Sequence, residues 1–363
     1  MSIRAVLPLA LAILAPVVPM AGATHSLDDV VRTVREANRR EQTDGELARA
    51  LRRLNLSERL DNRTAEELES EAPGPQSIAA LEKLRDATHD MPLAAVLPWF
   101  ASPPPPTVGE LRQVFGEAVR KALVYTENLP DFICTETVHR YEYLAARGGW
   151  ALKDTLTLQL TYFEHEENYK LTALNGRKTG LTYEQTGGAL SKGEFGSMLY
   201  SVFSPDFKTQ FKWSNWTTLR KRPAYVLSFR IEARNSVYHL TVGQYGGNSV
   251  STIPGEHGLV YIDRETKDVM RLDSEADTIP DDFPLQGATR TLDYGSAEVG
   301  GRSFLLPLHA DVRMMPRGRH PNTRNEVDFT EYRKFSGESI ISFGEAAEDK
   351  PGGDKPAAAP VKK

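Results

Sequence analysis

Between Phe132 and Phe343 apolar and polar residues alternate with a period of two, the repeat of a strand with one dry and one wet face. In TLTLQLTYF, Leu156, Leu158, Leu160 and Tyr162 face one way, and Thr155, Thr157, Gln159 and Thr161 the other. YVLSFRIEA repeats this with Tyr225, Leu227, Phe229 and Ile231. SFLLPLHADVRMM does so with Phe304, Leu306, Leu308, Ala310, Val312 and Met314, opposite Pro307, His309, Asp311 and Arg313. Half-wet strands indicate antiparallel pairing. Turn signals fall at Glu166-Glu167-Asn168, Asn175-Gly176, Gly187-Gly188, Asn235-Ser236, Glu265-Thr266-Lys267 and Gly300-Gly301. The strand–helix alternation that a parallel sheet needs is missing. A helical rhythm interrupts the strands in KGEFGSMLYSVFSP (Lys192–Pro205), and GQYGGNSVSTIPGEHG (Gly243–Gly258) reads as a flexible loop or lid.

From Ser26 to Thr88 the spacing changes to three and four. Val30, Val31 and Val34, then Leu47, Leu51 and Leu54, then Ile78, Leu81 and Leu84 form thin stripes on charged helices. Ser26 with Asp29 supplies an N-cap, Thr64 with Glu67 a capping box, and Pro75 a helix start. These short helices are expected to form a small bundle or to lie on the later domain. The alternative is a docking module for another protein. The proline run Pro103–Pro106 favours extended backbone and marks a boundary. Thr107 then caps a helix, TVGELRQVFGEAVRKALVYTENL, whose broader stripe (Val108, Leu111, Val114, Phe115, Val119, Leu123, Tyr125) suits packing on the sheet.

The ends of the chain set compartment. Arg4 precedes an apolar run, Ala5–Val18, and Ala21-Gly22-Ala23 fits a cleavage site, which predicts a secretory signal peptide over 1–23 and an exported, periplasmic or extracellular protein. Pro8 and Pro16 interrupt the run, and no later segment is long and apolar enough to span a bilayer. Residues 344–363 are rich in Ala, Pro, Gly, Asp and Lys and read as a disordered tail. The organisation is thus signal 1–23, helical segment 24–101, proline linker 102–106, helix plus sheet domain 107–343 and tail. A net charge of -5 gives no basic excess, so nucleic acid is not an expected partner.

Candidate chemistry is sparse. Cys134, the only cysteine, cannot form an intramolecular disulfide. On a strand it and His139 point to opposite faces about 17 Å apart, so they form no dyad and Cys134 is read as a core thiol whose replacement by serine changes stability rather than activity. His165 among Glu164, Glu166 and Glu167 lacks the HExxH spacing and suits a solvated turn. His309, Asp311 and Arg313 share a polar strand face. GxSxG, P-loop and dinucleotide motifs are missing from any strand-to-helix context, so the pattern calls for no catalytic residue, metal or cofactor. The aromatic run DFKTQFKWSNWTTL offers Phe211 and Trp213 on one face, with Trp216 on the other if the strand runs straight. These rings, together with Tyr162, are the candidate lining of an apolar ligand site, or else core.

The hairpin in GLVYIDRETKDVMRLDSEAD (Gly258–Asp277), followed by LDYGSAEVGGRSFLLPLHADV and NEVDFTEYRKF, resembles that of periplasmic lipoprotein-carrier-like and anti-sigma-regulator-like half-barrels. The resemblance covers roughly Thr107–Phe343. The Asn128–Tyr143 stretch is also similar to exported bacterial proteins of unassigned function. The resemblance implies an antiparallel sheet curled over helices around an apolar hollow, and a non-enzymatic carrier or sensor of lipid-like groups, with lipid or a lipoprotein acyl group as partner. No ligand residue is carried over. The helical segment and the Gly243–Gly258 stretch are additions to the carrier pattern. The reading is an α+β protein: short N-terminal helices, then a strongly curved antiparallel half-barrel-like sheet packed against helices. Three functions follow in order: binding of an apolar or amphipathic ligand in the concave face, a cell-envelope interaction module acting through the N-terminal helices or a sheet edge, and a hydrolase.

Overall fold

The computed structural model describes residues 24–89, 91–94, 103–147, 149–164, 166–189, 197–243 and 249–335. The expected signal peptide and tail, His165 and residues 192–196 of the expected inserted helix lie outside them. The chain divides into two compact units, Met1–Ala101 and Ser102–Lys363.

The first unit contains α1 (Leu27–Arg39), α2 (Asp44–Leu51), α3 (Asn62–Glu71) and α4 (Pro75–Ala87). Their stripes meet in one core that includes Leu27, Val30, Leu47, Leu51, Leu68 and Leu81. The apolar stripes therefore pack against each other. Ser26 and Asp29 form the expected capping box, and Pro75 opens α4. Thr64 does not cap. Asp61 does, accepting from the Thr64 amide at 3.1 Å, and Thr64 is buried inside α3. An aspartate three residues upstream competes well for the same free amides.

Gly74 precedes α4 and has no side chain to cap it. Asp44 of α2 substitutes, accepting from the amides of Gln76 (2.9 Å) and Ser77 (2.8 Å) and from the Ser77 hydroxyl (2.6 Å). Replacing Asp44 by alanine should destabilise this unit by about 1–2 kcal/mol, the range of a lost cap, measured as an earlier loss of helical signal in urea.

The second unit is α+β. After α5 (Val108–Asn128) come β1 (Phe132–Leu144), β2 (Gly149–Phe163), β3 (Glu166–Leu174), β4 (Arg177–Lys178), β5 (Gly188–Ala189), α6 (Ser197–Phe203), β6 (Gln210–Leu219) and β7 (Arg222–Ile231). The chain continues through β8 (Leu240–Gly243), β9 (Ser249–Thr252), β10 (Gly255–Asp263), β11 (Val269–Asp277), β12 (Leu285–Val299), β13 (Arg302–Pro316) and β14 (Thr323–Lys334). Eleven strands form one curved, open antiparallel sheet in the order β4-β3-β2-β1-β14-β13-β12-β11-β10-β7-β6. A second sheet pairs β5-β8-β9. The Gly243–Gly258 stretch is therefore not a loop throughout: its described part supplies β9 and the start of β10, because Ser249–Thr252 pairs with β8. Residues 244–248 lie outside the described set.

Period two survives as the inner face. Leu156, Leu158, Leu160 and Tyr162 of β2, Tyr225, Leu227, Phe229 and Ile231 of β7, and Leu306 and Ala310 of β13 join one cluster with Val114, Ala118 and Ala122 of α5 and Leu199, Val202 and Phe203 of α6. Cys134 belongs to the same cluster and is 1% exposed. His139 points the other way, its Nδ1 3.1 Å from the Thr155 hydroxyl.

Candidate functional site

The aromatic residues gather at the β6 edge of the inner face, through one irregularity. The β6–β7 register runs Trp213↔Leu227 and then Asn215↔Val226, which leaves Ser214 as a bulge. One extra residue reverses the parity beyond it, so Trp216 comes to the same face as Phe211 and Trp213, not the opposite one. The Trp213 and Trp216 rings lie 4.9 Å apart, and Tyr225 completes the group 4.7 Å from Trp216. The Arg264 guanidinium sits 4.5 Å from the Trp216 ring, a cation–π contact. Trp216 Nε1 donates to the Pro104 carbonyl at 3.1 Å, and the Tyr225 hydroxyl donates to Glu110 of α5 at 2.9 Å.

Beside this group Phe211 meets the helices. Its ring is 4.6 Å from Phe115 of α5 and 5.8 Å from Phe203 of α6. Phe203 is buried, whereas Phe115, Phe207, Phe211 and Trp213 are only partly buried while packed against the core. Tyr162 lies elsewhere. It is on β2, with seven strands between it and β6, and is buried against Phe132 with ring centroids 5.2 Å apart. The structure brings Phe211, Trp213 and Trp216 together and leaves Tyr162 in the opposite flank.

A polar row that the sequence reading missed crosses the inner face. Successive register partners are Asp154 (β2), Arg140 (β1), Asn325 (β14), Val312 (β13), Arg290 (β12), Ser274 (β11) and Gly258 (β10). Arg140 grips Asp154 through two 2.6 Å bonds and donates to the Gly187 carbonyl at 2.6 Å. Arg290 and Ser274 both donate to Glu256 Oε2, at 2.8 and 2.7 Å, and Arg290 stacks 4.0 Å from the Tyr238 ring centroid. On one side of the row lies the main cluster. On the other lies a smaller one with Tyr238, Leu240, Ala288 and Met314, which Val312 of the row joins. The available signal was parity: Glu136 and Arg140 share it with Phe132, Cys134 and Val138.

The outer face carries the histidine–carboxylate patch. Asp311 accepts from Arg313 Nε at 3.0 Å and from Arg324 Nε at 2.7 Å. Burial pushes its pKa up, but the two guanidinium groups outweigh this and hold it at about 2. His309 Nδ1 lies 2.9 Å from Asp328. Burial lowers its pKa, and the bond to Asp328 more than reverses that, leaving it raised. The signs are opposite. The Asp311 contribution, about 2 kcal/mol at neutral pH, is full above pH 3.8 and is lost as pH falls toward 2. The His309 contribution is full below pH 6.5 and is lost as pH rises through its raised folded value. Acid unfolding of Arg324→Gln should therefore start at higher pH than that of the parent, followed by tryptophan fluorescence.

No family model matches the sequence, and no curated protein sequence is detectably similar to it. Among solved structures, the chain is similar to a domain from Vibrio parahaemolyticus described as an outer membrane lipoprotein-sorting protein. Identity is 12%, coverage is 63% of this chain and 95% of that one, and the TM-score is 0.34. It is also similar to a LolA superfamily protein from Nitrosomonas europaea (8% identity, 63% and 96% coverage, TM-score 0.32). A third is a DUF1329 family protein from Desulfovibrio piger (10% identity, 62% and 93% coverage, TM-score 0.30). At such scores the likeness carries no functional weight, and the reading below rests on the side chains.

Proposed function

We propose that the chain is an exported, non-enzymatic binding protein that holds an apolar or amphipathic, lipid-like ligand, such as a lipid or a lipoprotein acyl group, against the inner face of its curved sheet. The observation that carries this is the aromatic edge. Phe115, Phe207, Phe211 and Trp213 belong to the main core yet remain partly exposed, next to fully packed neighbours. A ligand that covers them removes apolar surface from water, and each methylene so buried contributes about 0.8 kcal/mol. An acyl chain is the ligand class that such a face favours. Export is supported by the n-region, apolar run and cleavage pattern of residues 1–23. Among the described residues no helix is long and apolar enough to cross a membrane. Docking of an envelope protein on the N-terminal helices would have to use their charged outer faces, because their apolar stripes are buried.

The test is titration with the neutral apolar fluorophore N-phenyl-1-naphthylamine. Saturable fluorescence enhancement is expected, weakened about tenfold, or about 1.4 kcal/mol, in Phe211→Asp. Absence of saturable binding to the folded parent would overturn the reading.

A further inference from the structure

The hairpin singled out in the sequence turns at IDRETKDV (Ile262–Val269), beside the aromatic edge. The turn is tied to β7 and to α5. Asp263, 1% exposed, accepts from the amides of Glu265 and Thr266, both at 2.8 Å, and pairs with Arg222 Nε of β7 at 2.6 Å. The Arg264 amide donates to the Pro223 carbonyl at 2.9 Å. Lys121 of α5 donates to the Thr266 carbonyl and, at 2.9 Å, to Asp268. A turn held in this way presents its own two cations in fixed places. The Arg264 guanidinium lies 4.5 Å from the Trp216 ring centroid and 5.8 Å from that of Tyr225. Lys267 Nζ lies 5.8 Å from the Tyr225 ring centroid.

Neither cation forms an ion pair among the described residues, because the carboxylates around them are engaged elsewhere. Asp263 serves Arg222, Asp268 serves Lys121, and Glu110 accepts from the Tyr225 hydroxyl. Glu265, next to Arg264 in the chain, is exposed and pairs with neither. Arg264 is exposed too. A guanidinium drawn to a ring face keeps N–H donors for an oxyanion, and it is the side chain best shaped to grip one. The Trp213 ring, only partly buried, lies 4.9 Å from the same Trp216 ring. One indole therefore joins an apolar surface open to a chain and a cation open to a head. Resting on the carrier reading above, we propose that Arg264 and Lys267 form the polar end of the ligand site and select acyl ligands with a phosphate head over the same chain with an uncharged head. The phosphate accepts from Arg264 and is attracted by Lys267, while the chain covers Trp213 and Phe211.

The experiment is displacement of N-phenyl-1-naphthylamine from the purified protein at pH 7.5 by monooleoylglycerol and by its phosphate ester, oleoyl lysophosphatidic acid. The two share chain and glycerol and differ in the phosphate. The phosphate ester is expected to displace the probe at about tenfold lower concentration in about 20 mM salt. The gap should shrink to about threefold in about 0.5 M salt, because exposed charges are screened. Arg264→Met removes the charge but keeps an apolar stem over Trp216. Combined with Lys267→Gln it should close the gap, and each single variant should narrow it. Arg264→Lys, which keeps a charge there, should retain part of the gap. Monooleoylglycerol should displace the probe equally well from the parent and all variants, which separates a lost head contact from a damaged apolar face. Equal displacement by the two lipids in the parent at low salt, or a gap that survives in the double variant, overturns the proposal and leaves the carrier reading standing. Failure of the probe to bind the parent overturns both.

Discussion

Replacing Arg140 by methionine is expected to destabilise the large unit by about 3–5 kcal/mol, the range for breaking a buried ion pair from one side. The side chains of Arg140 and Asp154 are 8% and 13% exposed. Methionine fills much of the volume but leaves the Asp154 carboxylate out of water with its two guanidinium bonds gone. It also releases the Thr186 hydroxyl and the Gly187 carbonyl, which Arg140 ties to the sheet just ahead of β5. The urea midpoint, read by fluorescence of Trp150, Trp213 and Trp216, should fall steeply. Adding Asp154→Leu should recover most of the loss, because the cost lies in the stranded charge and not in the missing attraction. If the single variant unfolds like the parent, the row across the inner face is not buried as described.

The other end of that row gives the second large effect. Gly258 stands where β10 and β11 come so close that an added Cβ would lie 1.8 Å from the Asp273 carbonyl oxygen and 2.8 Å from its carbon. Those are backbone atoms in a paired strand, so no rotamer change relieves the overlap. Gly258→Ala should cost about 3 kcal/mol, at the upper end of overpacking, because the strands must part where Ser274 faces position 258. Gly176→Ala is a suitable contrast. There an added Cβ meets nothing within 4 Å and only the backbone angle, φ +74°, opposes it, so a loss of about 1 kcal/mol is expected. Similar midpoints for the two variants would count against the close approach of β10 to β11.

Much of the large unit can be read from alternation alone, because a half-wet strand must repeat every second residue and little else does. That reading places Tyr162, Leu227 and Ala310 inward correctly, and it puts Cys134 and His139 on opposite faces. It fails where the backbone changes parity without a residue that announces it. Ser214 is an ordinary strand residue, yet its bulge returns Trp216 to the inner face and creates the aromatic edge. Asn175-Gly176 and Gly300-Gly301 do turn, but two other turns escape the sequence for the same reason. The β2–β3 turn has Glu164 at φ 51°, just ahead of the Glu166-Glu167-Asn168 signal, and the β6–β7 turn uses Arg220 and Lys221, both at positive φ without glycine or asparagine. The buried charges were hidden by their type. Glu136, Arg140 and Glu256 occupy inward positions, but charged residues are seldom fully buried unless paired, and their partners are distant in sequence. Asp154 comes from the next strand, and Arg290 lies 34 residues from Glu256.

The most direct test of the central claim is native mass spectrometry of the protein, purified without detergent from the cells that produce it. The account predicts a fraction of chains carrying a single non-covalent acyl compound, released on unfolding and extractable into organic solvent, and a smaller fraction in Phe211→Asp. Folded protein that is uniformly free of any such compound, and stays so after incubation with a membrane lipid extract, would contradict it.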